Sequence, residues 1–228
     1  MLAEQTDPTA ALDALYADMD RLYLEGHWRI GDEVQATRPR VATRPHVWRG
    51  ADVAGVLMRA GELVRHGEAA ERRTLRLVNP GLLAQHSATH TLAGSVQLVR
   101  PGEVAPPHRH TPAAIRFIIR GEGAFTTVEG ERCTMGPGDL VLTPRWTWHH
   151  HGNAGDEPVM WMDGLDFPLA ILLNAVFYEP YPAAMQPETE PVDGSLYRYG
   201  GALRAPIVPA NVGQTMGTPS PPRRRARC

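Results

Sequence analysis

Cysteine is scarce in this sequence, with two residues in 228, Cys133 in mid-chain and Cys228 at the end. That rules against a disulfide framework, and Cys133 reads as a small buried apolar residue. Long apolar runs are missing as well, so no segment is suited to span a bilayer. The opening MLAEQTDPTAALDAL carries acids and lacks the basic-then-apolar order of a signal peptide. There is little excess charge of either sign, a net −2, which argues against nucleic acid or an anionic membrane surface as a partner. The late arginines Arg223, Arg224, Arg225 and Arg227 read as a solvated terminus. These absences together describe a cytoplasmic protein without membrane or nucleic-acid partners.

Glycine (22) and proline (21), by contrast, are plentiful, as a turn-rich β architecture requires. Apolar residues at Leu12, Leu15, Tyr16, Met19, Leu22 and Tyr23 predict a first helix, capped by Asp7 and ended near Gly26. Residues 28–45 read as irregular, and ADVAGVLMRAGELV (51–64) predicts a second helix. From Leu75 the text changes to short alternating runs punctuated by Gly and Pro: TLRL, AGSVQLV, AIRFIIR, AFTTVEGERCTM, DLVLT and PVMWMDGL. Close-spaced short strands of this kind predict a small barrel or sandwich. After Leu173 a proline-rich stretch is expected to wrap the surface and to give way to a disordered tail.

The chemistry concentrates in histidine. His108 and His110 stand two apart, Arg116 has the same parity, and Ile115, Phe117 and Ile119 have the opposite one. Without a bulge, alternate strand residues share a face, so the two imidazoles and the guanidinium point one way. His149 and His151 share a face likewise, opposite Trp146 and Trp148. Two strands can then aim imidazoles into one space, a ligand set suited to a divalent transition metal with coordination positions left open. Trp146, Trp148, Trp161 and Phe117 read as core aromatics.

The spacing extends further. Gly102 precedes His108 by six positions and Gly121 follows; later come Gly138, Pro144, His149 and Asn153. This order resembles the two cupin motifs, G-x5-H-x-H…G and G-x5-P-x-G-x2-H-x3-N. Ala114 and Ile115 stand where cupins usually place a glutamate ligand, and Trp146 stands where they place glycine. The longer texts PHVWRGADV, ERRTLRLVNPGL, HRHTPAAIRFIIRGEGAFTTVEGERCTMGPGDLVLTPRWTWHHHGN and NAVFYEPYP are similar to the gentisate 1,2-dioxygenase family of cupins, which includes salicylate and 1-hydroxy-2-naphthoate dioxygenases.

That resemblance implies a mainly all-β fold, one cupin double-stranded β-helix or jelly-roll barrel over 71–180. It implies a helical extension packing on the barrel over 1–70 and a proline-rich extension with an Arg-rich tail over 181–228. It implies Fe(II) held by His108, His110 and His149, with Arg116, Arg72, Gln97 and Asp163 around the substrate and His151 near the reacting oxygens. His150 departs from the family's W-H-D-H-G text and is expected to face away from the metal. Three neutral ligands leave Fe(II) its full charge, which favours an anionic, chelating aromatic acid. The implied reaction is gentisate with O2 to maleylpyruvate. Arg116 binds the substrate carboxylate in this reading, or else pairs with an internal acid such as Asp163 or Glu129. Family members carry a second barrel that this chain has no room for, so a homo-oligomer covering the exposed surface is expected. The other readings are a non-catalytic metal-binding cupin that holds an aromatic acid, and a zinc- or manganese-dependent cupin isomerase.

Overall fold

The computed structural model describes residues 8–65, 72–199 and 226–227. The chain divides into two compact units, Met1–Ala42 and Thr43–Cys228. The first contains α1 (Pro8–Arg21) and α2 (His27–Val34). The Asp7 cap proposed for α1 lies outside the described residues. Helix α2 falls within a stretch that reads as irregular, since HWRIGDEV has an internal Gly31 and few strong helix formers. A Cβ on Gly26 would sit 2.6 Å from the Trp28 ring, so the turn between α1 and α2 depends on glycine for close packing.

The second unit opens with α3 (Gly50–Leu63), the second helix read from the sequence. It continues through β1 (Thr74–Leu77), β2 (Ala93–Val99), β3 (Val104–His110), β4 (Ala114–Arg120), β5 (Ala124–Val128), β6 (Glu131–Met135), β7 (Leu140–Thr143), β8 (His149–Asn153) and β9 (Val159–Leu165). After these come α4 (Phe167–Leu172), β10 (Tyr178–Pro180), α5 (Gly194–Tyr199) and β11 (Ala226–Arg227). The strands form two sheets, β1-β2-β9-β4-β7-β11 and β10-β3-β8-β5-β6. Every pairing is antiparallel except the two-residue contact of β11 with β7. This is the jelly-roll barrel anticipated from the sequence.

Two features differ from the sequence reading. His108 and His110 form the end of a strand, β3, despite Pro106 and Pro107; the ladder to β8 shifts register between Ala105 and His108. His110 and Arg116 also belong to opposite sheets, because the chain crosses over between β3 and β4. Their shared inward direction comes from two sheets facing each other and not from one continuous strand. On β4 the alternation is clear: Ala114, Arg116 and Ile118 are buried, while Ile115, Phe117 and Ile119 are exposed. Of the aromatics expected in the core, Trp161 is fully buried, but Trp146 and Phe117 are exposed.

The barrel interior is divided. One part is an apolar core of Val99, Ile118, Ala124, Met135, Val141, Val159 and Trp161. A second cluster, Leu57, Val96, Leu98 and Met160, seats α3 on the outside of β2 and β9. The rest of the interior is polar and holds the candidate site. The β5–β6 hairpin turns at Glu129 and Gly130, both with positive φ (45° and 84°), the conformation of a two-residue type I′ turn. Its glycine also anchors the proline-rich segment: Thr189 N–H donates to Gly130 O, and Gly130 N–H donates to Gln186 Oε1. Cys133, anticipated as a small buried apolar residue, is fully buried, and it is disulfide-bonded although no disulfide was expected. Among the described residues, no helix is long and apolar enough to cross a membrane.

Candidate metal centre

His108 and His110 come from β3 and His149 from the neighbouring β8, where His108 and His149 are direct cross-strand partners. The ring centroids of His108 and His149 lie 4.3 Å apart, and those of His110 and His149 lie 4.8 Å apart. One nitrogen from each of the three histidines falls within 4.8 Å of the other two. Which nitrogen is available follows from the backbone. Nδ1 of His110 donates to Pro112 O (2.7 Å) and Nδ1 of His149 to Thr147 O (2.9 Å), while Nδ1 of His108 lies 2.9 Å from Pro106 O and 2.5 Å from Arg72 Nη2. In each case the carbonyl is two residues away in sequence. A neutral imidazole whose Nδ1 carries the proton has its lone pair on Nε2. His110 and His149 are therefore held in the tautomer that leaves Nε2 for a metal ion, and the Pro106 carbonyl orients the His108 ring beside them.

The charge state agrees. Burial, helped by the Arg72 guanidinium, pushes the His108 pKa down to about 3. Burial lowers His110 as well and takes His149 well below its ordinary value, aided there by the neighbouring imidazoles. The three rings are thus neutral at neutral pH, and the donor set of three imidazole nitrogens suits a divalent transition metal. Ala114 is buried and Ile115 is turned outward, so neither position that might carry a carboxylate ligand contributes one.

His151 shares the inner face of β8 and is almost completely buried. Its Nδ1 receives a hydrogen bond from Arg116 Nη1 (3.1 Å) and lies 3.0 Å from Thr126 Oγ1. Arginine can only donate, so Nδ1 is the acceptor and the proton of the neutral ring sits on Nε2. Burial and the Arg116 charge hold its pKa well below the usual value. His151 accordingly presents an N–H donor at neutral pH and not a base. His150, next along β8, points outward, where its Nδ1 lies 3.0 Å from Gln186 Nε2.

Arg116 has an internal acid partner: its Nε donates to Asp163 Oδ1 at 2.9 Å, and its Nη1 also donates to Thr126 Oγ1 at 2.9 Å. The second Asp163 oxygen accepts from Trp161 Nε1 at 2.9 Å. Glu129, the other acid considered, instead accepts from the Trp148 backbone N–H. The guanidinium nonetheless lines the cavity, and its Nη2 makes no hydrogen bond among the described residues. Arg72 lies at the end of β1 against the metal-site histidines, with Nη2 2.6 Å from His108 Nε2. Gln97 is buried on β2, and its Nε2 has no hydrogen-bond partner among the described residues. An unsatisfied buried donor is costly, and a ligand acceptor would relieve it.

Of the three metal-site histidines, His110 and His149 border a cavity of about 400 Å³ that Arg72 also lines. Its inner wall carries Gln97, Arg116, His110, His149, His151 and Asp163, and its outer part is lined by Leu165, Phe167, Val176, Phe177 and Tyr178. Thr74, Ser95, Tyr178 and Thr126 were not singled out from the sequence. Thr74 follows Arg72 at strand spacing, and parity alone could have flagged it. Tyr178 stacks on His108 at 5.3 Å only because β10 pairs with β3, a contact between positions 108 and 178 that no local pattern displays.

Residues 95–165 match the profile of the cupin domain. The chain is 44% identical over 188 residues to gentisate 1,2 dioxygenase 1 of Aquipseudomonas alcaligenes, covering 82% of this chain and 54% of that protein. It is 33% identical over 141 residues to a 5-nitrosalicylic acid 1,2-dioxygenase of Bradyrhizobium, covering 60% and 67%. The crystal structure of salicylate 1,2-dioxygenase from Pseudoaminobacter salicylatoxidans with gentisate superposes with a TM-score of 0.78 at 34% identity, over 89% of this chain and 56% of that one. Fold and site therefore define a cupin with an all-imidazole set able to hold a metal ion. Within that class, the chain belongs to the gentisate 1,2-dioxygenase family, alongside salicylate and hydroxynaphthoate dioxygenases. It spans about half the length of the curated gentisate dioxygenase it matches.

Proposed function

We propose that this chain is an Fe(II)-dependent ring-cleaving dioxygenase that converts gentisate and O2 to maleylpyruvate. The observation that carries the reading is the convergence of three neutral imidazoles, each steered through Nδ1, at the inner end of a cavity lined by arginine. His108, His110 and His149 would hold the iron, which when bound supplies electron transfer between the ring and dioxygen. Each remaining group has a task its bonds prepare it for. Arg116, braced by Asp163 and Thr126, offers Nη2 to the substrate carboxylate as a charge-assisted donor. Arg72 also lines this cavity beside His108 and would meet the anionic guest there. Gln97 Nε2 and His151 Nε2–H donate to the oxygens that gain charge as the ring opens. Leu165, Phe167 and Val176 shield the ring from water.

Oxygen uptake and product absorbance after adding gentisate to the iron-loaded chain test this. Iron-loaded, folded protein that consumes no oxygen with gentisate, salicylate or 1-hydroxy-2-naphthoate would leave the non-catalytic binding reading in its place. The hydroxynaphthoate alternative has one feature in its favour, the small residues Ala93 and Ala114 in the cavity wall, which leave width for a second ring. The reading includes a cytoplasmic setting and a homo-oligomer, the latter supported by the apolar outer face of β4, β7 and β9.

A further inference from the structure

The geometry points to a second anion-binding position in the cavity, at Arg76, which selects aromatic hydroxy acids carrying a second acidic group. The inference rests on the proposed seating of an aromatic acid at the metal and extends it to the far side of the ring. Strand β1 alternates: Leu75 and Leu77 pack against the α3 cluster, while Thr74 and Arg76 line the cavity, Arg76 on its solvent-exposed side. The Arg76 guanidinium lies 5.4 Å from the centroid of the Phe167 ring, a cation–π contact that limits its orientations before any ligand arrives. Among the described residues, no carboxylate lies within ion-pair distance of it. Asp163, the acid of the cavity wall, has both oxygens engaged by Arg116 and Trp161. The cavity therefore carries cationic charge at Arg76 that its own wall does not neutralise.

The placement fits a ring with acids at two ends. Arg76 pairs with Ser95, Ser95 with Asp163, and Asp163 with Arg116, so all four share one rung of the sheet. Arg76 and Arg116 stand three strand spacings apart, about 14 Å between backbones at ~4.8 Å per spacing. Small Ser95 leaves the floor between them open. An acid seated at Arg116 then directs the opposite edge of its ring towards Arg76.

The test is calorimetric titration of the iron-loaded full chain under anaerobic conditions with 2-hydroxybenzoate and its 4-carboxy and 5-carboxy derivatives, for wild type and Arg76→Gln. Wild type is expected to bind at least one dicarboxylate about fivefold tighter than 2-hydroxybenzoate, the advantage falling with added salt. Arg76→Gln is expected to lose that advantage while its affinity for 2-hydroxybenzoate stays the same, which also shows that the variant is folded. No preference in wild type, a preference retained in the variant, or a parallel loss for all three ligands would each overturn the inference. Oxygen uptake with gentisate is scored separately, so a charge preference without turnover would remove the proposed reaction and leave the anion position standing. Failure of all three ligands to bind removes both.

Discussion

Arg116 does two things that pull against each other: it neutralises a buried carboxylate and it must keep a donor for a ligand. Both partners of the Arg116–Asp163 pair are more than nine-tenths buried, and breaking such a pair leaves a charge without compensation. Arg116→Ala should therefore cost about 3–5 kcal/mol, read from urea unfolding of the metal-free protein. A loss under 1 kcal/mol would mean that Asp163 finds water instead. Asp163→Asn should be milder, since the amide can still accept from Arg116 or Trp161. His151→Ala should lower turnover about a hundredfold with iron content unchanged, because its ring lines the cavity and is not one of the three metal-site donors; unaltered turnover would exclude a catalytic role. Trp146 shows how a departure from a motif is absorbed. It keeps the positive φ (59°) that glycine would adopt there, and its ring is held by the Arg109 guanidinium 4.5 Å away, itself bonded to Glu179. The histidine spacing was legible because strand parity and motif distance are local. The bond from Arg116 to His151, which sets the proton on Nε2, was not, because it joins opposite sheets.

Strand β8 shows how an element outside the cavity can set the cavity's geometry. All five of its residues are buried, since β3 and β5 flank it and the segment after β10 crosses its outer face. Gln186 is the peg of that crossing: its Nε2 donates to Thr127 O, lies 3.0 Å from His150 Nδ1, and its Oε1 accepts from Gly130. Gln186→Ala would leave these buried groups without partners, and the expected cost is about 1–3 kcal/mol, measurable as a lower midpoint in denaturant. Because His150 lies between His149 and His151, iron affinity should weaken in the same variant; full stability with full iron content would show the crossing to be ornamental. The sequence indicates a surface-wrapping segment through its prolines, but it contains no sign of the amide that pins it.

The chain as a folded body carries a pH dependence written into its buried imidazoles. In the unfolded chain a histidine takes up a proton near pH 6.5, but burial holds His108 to about 3 and His150 to about 4. Between those values the unfolded chain binds more protons than the folded one, so stability rises with pH across that window. It should be full above about 6.5 and fall as the pH drops towards 4, by at most about 1.4 kcal/mol per histidine per pH unit. Calorimetry of metal-free protein from pH 7.5 to 5 should show a falling melting temperature; a flat profile would mean that these rings are hydrated. A bound metal ion steepens the same trend, since it needs neutral imidazoles. The outer face of β4, β7 and β9 exposes Ile115, Phe117, Ile119, Leu142 and Met162, and exposed apolar surface of this kind favours self-association. Size-exclusion chromatography should show more than one copy per particle, and Phe117→Glu should shift the population towards the monomer. A wild-type chain that runs as a monomer on dilution would exclude the oligomer.

Alternation, turn residues and histidine spacing are properties of neighbouring positions, so they specify a β barrel and the residues able to meet a metal before any fold is known. Which nitrogen each ring presents, which acid Arg116 holds, and how Arg76 and Arg116 come to share one rung depend on strand order and register. Those are settled between segments far apart in the chain, where burial and cross-strand hydrogen bonds are won together and no short stretch can report them.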